Sequence, residues 1–111
     1  MEERFSEYRI MWLFVFFDLP TETKQERKAA SDFRKRIQAD GFTMMQFSVY
    51  VRHCASSESA DVHTKRVKGI LPEKGQVSIL RVTDKQFGGM EVFMSAKELK
   101  KVQVPMQLEL F

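Results

Sequence analysis

The sequence predicts an α+β fold in which two amphipathic helices cover one face of an antiparallel sheet. Three observations carry that expectation. The apolar run WLFVFFD, Trp12 to Asp18, is rich in the aromatic and branched side chains of a buried strand and far shorter than a membrane span. Two stretches with helical spacing, near residues 23–40 and 59–70, separate it from later strand-like segments. The resulting order is β-α-β-β-α-β with extra strands, and two helices on one side of such a sheet is the ferredoxin-like arrangement.

Each element has a local reason. Residues 10–17 read as the first strand. Thr23 and Glu26 stand at capping-box spacing, so a helix begins near Thr23, carries Ala29, Ala30, Phe33 and Ile37 on one stripe, and closes at Asp40-Gly41. FTMMQFSVYVRH, residues 42–53, is strand material. From Gln46 the alternation predicts Phe47, Val49 and Val51 on one face and Gln46, Ser48, Tyr50 and Arg52 on the other. Met44-Met45 interrupts that pattern, which predicts a bulge or tight reversal and two strands. After a polar connection at Ser56 to Ser59, a second helix runs to about Ile70 with Ala60, His63, Val67 and Ile70-Leu71 inward. QVSILRV, residues 76–82, is the next strand, Thr83 to Gly89 a turn, and Glu91–Met94 a short strand.

The end of the chain, PMQLELF, alternates Met106, Leu108 and Leu110 with Gln107 and Glu109, the pattern of a half-buried strand over about 102–111. A sheet with both helices on one side leaves its other face bare. Gln46, Ser48, Tyr50 and Arg52 are candidates to line it, but the apolar content and the alternating tail call for a cover. A second copy of the chain is the simplest one. In such a homodimer the tail strand, through Met106, Leu108 and Leu110, adds to the partner's sheet edge.

Size and charge narrow the function. The 111 residues suit a single domain, with its core over about 10–94. The start, MEERFSEYR, is too charged for a secretory signal and one cysteine cannot form an internal disulfide, so a cytoplasmic protein with no membrane partner is expected. Eighteen Lys and Arg against fifteen Asp and Glu give a net charge of +3, which permits a polyanionic partner without requiring one. Basic residues concentrate on the helices: Lys24, Arg27, Lys28, Arg34, Lys35 and Arg36 on the first, Lys65, Arg66 and Lys68 on the second. They form either a solvated face interleaved with Glu22, Glu26 and Asp32 or a phosphate-backbone contact. Lys24, Arg27, Lys28, Arg34, Lys35 and Arg52 are the nucleic-acid candidates.

Asp18 is the candidate for chemistry. An acid at a strand-to-helix turn is commonly a turn residue or N-cap. Here Thr21 and Thr23 are available as caps, so the helix does not need it. An acid at the end of a buried strand can instead meet its twin across a two-fold axis, where the two carboxylates repel unless a hard divalent cation binds both. Mg²⁺ held this way, or Mn²⁺ in its place, could activate water against a phosphodiester. His53 and His63 lack the further ligands that zinc requires, and Cys54 reads as a small apolar filler.

Phe17-Asp18-Leu19-Pro20 at the end of strand one, and Gln46-Phe47-Ser48-Val49-Tyr50 after a basic helix closed by Gly41, together carry a family resemblance. The chain resembles the small CRISPR-associated protein of the spacer-acquisition complex, the second of its core pair. DLPTETKQERKAASDFRKRIQADGFTMMQFSVYVR and VTDKQFGGM resemble the type II members in particular, and the likeness covers most of residues 10–94. It implies a ferredoxin-like homodimer with a C-terminal strand packed on the partner protomer. It also implies that Asp18 is the Mg²⁺ ligand of a nuclease centre at the dimer interface, acting on RNA or double-stranded DNA. The family's usual tyrosine before that aspartate is Phe17 here, which removes a hydroxyl. The resemblance further implies a scaffold between two dimers of the CRISPR integrase, gripping spacer-precursor double-stranded DNA through its backbone. The alternative is a stand-alone RNA-binding or regulatory dimer without catalysis.

Overall fold

The computed structural model of the chain describes residues 9–94. Strand β1 is Met11–Asp18, helix α1 Lys24–Ala39, strand β2 Thr43–Gln46 and strand β3 Val49–Cys54. Helix α2 is Ser57–Lys68, strand β4 Gln76–Thr83, and a short helix α3 covers Asp84–Gly88. All pairings are antiparallel, in the order β2-β3-β1-β4, so the first strand is central. This is the ferredoxin-like order, as expected. The tail strand, with Met106, Leu108 and Leu110, lies outside the described residues.

Local chemistry sets the boundaries. Thr23 caps α1 through the predicted box: its hydroxyl accepts from the Glu26 amide at 3.0 Å, and the Glu26 carboxylate accepts from the Thr23 amide at 3.1 Å. Asp40 ends the helix and Gly41, at φ 94°, reverses the chain. Ser56 caps α2 by accepting from the Ser59 amide. The segment read as a turn after β4 is helical instead, because Thr83 and Gln86 form a second capping box. Glu91–Met94, expected as a strand, contributes only a single bridge at Phe93.

Side chains of β1 alternate between two clusters. Leu13, Val15 and Phe17 face the helices and pack with Phe33, Ile37, Phe42, Tyr50, Cys54, Ala60 and Val67. Phe17 stands edge-on to Phe33 and stacks on Tyr50 at 5.6 Å between centroids. Ala29, expected on this stripe, is exposed, as is Leu71 after α2. Trp12 and Phe14 face the other way, with Val51 and Phe87.

The register of the β2–β3 hairpin corrects one expectation. Gln46 pairs with Val49 after a bulge beyond Met44, leaving Phe47 and Ser48 as the turn, with Ser48 at φ 69°. The predicted bulge is present, but alternation restarts at Val49. Tyr50 therefore points into the helix-side core, and Val49 and Val51 onto the other face. The face expected to carry polar side chains is apolar.

Among the described residues, that second face is covered at one end only. Phe87 of α3 stacks flat on Trp12 at 4.0 Å, and the Trp12 indole N–H donates to Asp84 Oδ1 at 2.7 Å. Toward the other end of β1, Phe16 is 37% exposed and Leu80, on the neighbouring strand, 49%.

Candidate functional site

Asp18 is the last residue of β1, exposed, and paired in register with Gln76 of β4. Alternation puts it on the uncovered face with Trp12, Phe14 and Phe16. Two contacts fix its position. The Phe17 amide donates to the Ser48 carbonyl at 3.1 Å, which draws the hairpin turn alongside the strand end. On the other side Gly75, at φ 99°, passes so close that a Cβ there would lie 2.7 Å from the Asp18 carbonyl oxygen. Only glycine combines that backbone angle with that approach. Asp18 takes no part in capping α1, as the availability of Thr23 implied.

The strand end opens into a shallow recess of about 410 Å³, bordered by Phe16, Asp18, Phe47, Ser48, Gln76 and Ser78. No second titratable group lines it. Among the described residues no group of three His, Cys, Asp or Glu is placed to hold a metal ion. One chain thus offers a cation a single hard carboxylate oxygen donor set. A divalent ion of the Mg²⁺ type, which retains several waters and takes one or two carboxylates, fits Asp18 when a second copy supplies the other. In a separate recess of about 310 Å³ between the start of α1 and Pro72–Lys74, Glu26 caps the helix and lies 3.6 Å from Lys74.

The basic candidates do not act as one face. Lys24 and Lys35 are exposed on α1. Arg27 Nη1 donates to the Thr21 and Glu22 carbonyls at 3.1 Å, bracing the loop that follows β1. Lys28 meets Asp32 at 3.1 Å in an exposed pair of little energetic weight. The Arg34 guanidinium carbon lies 5.5 Å from the Phe17 ring centroid and 4.7 Å from that of Phe47. Arg52 is turned inward: Nε donates to the Asp40 carbonyl at 2.8 Å and Nη1 to the His53 carbonyl. Gly41 makes room for it, since a Cβ at that position would lie 3.0 Å from Arg52 Nε.

The histidines are structural. His63 is buried on α2, its Nδ1 2.8 Å from Asp40 Oδ2, while Arg66 donates to Asp40 Oδ1 at 2.9 Å. Burial pushes the Asp40 carboxyl up, but the hydrogen bonds from His63 and Arg66 outweigh it and hold the group below its ordinary value. This cluster ties the C-terminus of α1 to α2. Burial holds His53 below the ordinary histidine value, opposed by the Asp84 charge and assisted by Arg52. Burial also pushes the Cys54 thiol up, which suits an inert core residue.

Sequence reasoning missed Phe47, Gly75 and Gln76 as neighbours of Asp18. Phe47 was read as one face of a continuing strand, and its place in the turn comes only from the Gln46–Val49 pairing. Gly75 and Gln76 carry no signal until β4 is laid antiparallel to β1.

Comparison with known proteins agrees with this geometry. The family model for CRISPR associated protein Cas2 matches residues 11–90. The CRISPR-associated endoribonuclease Cas2 of Flavobacterium psychrophilum is 55% identical over 108 residues, covering 97% of this chain and 94% of its own length. The protein of the same name from Parvibaculum lavamentivorans is 52% identical over 101 residues, covering 91% and 100% respectively. A crystal structure of Cas2 superposes with a TM-score of 0.57 over 87% of this chain and 99% of its own, at 16% identity, a likeness of fold. With the family model matched over residues 11–90 and relatives 55% and 52% identical along nearly their whole length, the chain belongs to the Cas2 family of CRISPR-associated proteins.

Proposed function

We propose that the protein acts as a homodimer joined across the uncovered sheet face, serving in the cytoplasm as a scaffold in spacer acquisition. In this reading it grips spacer-precursor double-stranded DNA between two dimers of the CRISPR integrase. The observation that carries it is the asymmetry of the sheet: Phe16 and Leu80 are left in solvent on the same face as Asp18. An apolar face of this kind is stable when paired. The exposure of Lys24 and Lys35 on α1 supports contacts to a phosphate backbone, which are blind to sequence. Membership of a CRISPR-associated family favours this over a stand-alone regulatory dimer.

The second reading is a metal-dependent phosphodiesterase, favoured by the name endoribonuclease that the relatives carry. Asp18 from each of two copies would hold Mg²⁺ or Mn²⁺, which supplies Lewis acidity toward a phosphodiester. The chain's own contribution is then to place the two carboxylates, with Gly75 and the Ser48 carbonyl fixing the strand end. Among the described residues Asp18 is the sole titratable group lining its recess, so none of them supplies a general base or an acid for the leaving group there. The predicted activity on RNA or DNA is therefore slow, and scaffolding does not depend on it.

An integration assay with purified integrase separates the two. Asp18→Ala is expected to leave spacer integration intact while removing Mn²⁺-dependent cleavage. Loss of integration by a variant that still dimerises would contradict the scaffold reading.

A further inference from the structure

We propose that Phe47 is a stacking platform for an unpaired nucleobase, backed by Arg34 and opening onto the recess beside Asp18. The inference rests on the nucleic-acid reading above and adds a specific contact to it. Phe47 is 77% exposed, the most exposed of the large apolar side chains among the described residues. Yet it is held firmly in place. Gln46 and Val49 pair on either side of the turn, Ser48 occupies a left-handed conformation, and the Ser48 carbonyl accepts from the Phe17 amide. The Arg34 guanidinium lies against both Phe17 and Phe47, and its buried Nε has no hydrogen-bond partner among the described residues. Arg34 thus serves the aromatic rings at the expense of a polar contact, and fixes one side of Phe47 while the other remains in solvent.

The chemistry of the recess selects the occupant. In the metal-free protein Asp18 borders it with a negative charge, which disfavours a phosphate and favours a neutral group. A nucleobase is neutral, offers a π-face to Phe47, and carries donors and acceptors on its edge for Gln76 and Ser78 at the rim. Every base has such a face, so the platform is tolerant of sequence and requires only that the base be unstacked, as in a single strand or an overhang.

Binding of a short oligoadenylate and of an abasic oligonucleotide of equal length, each measured with the full chain, tests the proposal. Phe47→Ala is expected to weaken oligoadenylate binding about five- to a hundredfold and leave the abasic probe unchanged. Phe47→Trp is expected to retain binding and to show indole fluorescence quenched by oligoadenylate but not by the abasic probe. Equal oligoadenylate binding by wild type and Phe47→Ala overturns the platform alone. Equal loss on both probes, or a matching loss of self-association in sedimentation, also overturns it and makes Phe47 a contact between copies. If the wild-type protein binds neither probe but binds duplex DNA, the platform alone fails; if it binds no duplex either, the nucleic-acid reading fails and the platform falls with it.

Discussion

The two faces of the sheet receive the same kind of side chain from β1 and end up in different surroundings. Leu13, Val15 and Phe17 meet two capped helices and are buried. Trp12 and Phe14 pack with Val51 beneath Phe87 of the short α3, while Phe16 stays partly in solvent. The helix side is thus the closed half of the fold, while the other face leaves Phe16 and Leu80 partly in solvent. Substitutions on the two faces should therefore fail in different ways.

Truncating the closed face has the largest expected effect on folding. Phe33→Ala removes a ring packed against Phe17 and should cost about 3–5 kcal/mol, read as a fall in the midpoint of chemical unfolding. Leu80→Glu on the open face should leave the monomer's secondary structure unchanged and weaken self-association by at least about tenfold, measured by sedimentation. Equal loss of stability in both variants would erase the distinction between the faces.

Gly75→Ala sharpens the comparison at the strand end. Its backbone angle and the approach to Asp18 predict a destabilisation of about 1–3 kcal/mol, with a further loss of metal binding because Asp18 is displaced. Ala at Gly88, where a Cβ meets nothing within 4 Å, is the matched control and should leave Asp18 undisturbed.

The smallest effect is in pH. Because burial holds His53 below its ordinary value of 6.5, the unfolded chain takes up the proton first as pH falls. The contribution to stability is fully present above about pH 6.5 and is lost as pH drops from there through the folded value. His53→Gln should flatten the dependence of the melting temperature on pH in this window. A second loss belongs to Asp40, whose lowered value makes its contribution disappear only as pH falls below the ordinary 3.8.

The closed face was legible in the sequence because its signals are local. The Thr23 to Glu26 box, the stripe of Ala30, Phe33 and Ile37, and the break at Met44-Met45 all lie within a few residues. The open face was less so. Alternation identifies two sets of residues but not which set the helices cover, and Tyr50 and Arg52, expected on the bare face, lie on the helix side instead. Arg52 read as an outward cation because nothing in its own segment reveals the Asp40 carbonyl twelve residues away in the chain. Asp18 was found from its strand position, whereas its neighbours Gly75 and Gln76 come from the far side of the fold.

In the metal-dependent reading proposed above, two copies meet across the open face and bring their Asp18 carboxylates to one metal ion. Calorimetric titration of the chain with Mn²⁺, run beside sedimentation, tests it most directly. The account predicts one ion for every two chains, lost in Asp18→Ala while the dimer persists. One ion per chain, or unchanged binding by Asp18→Ala, would contradict it.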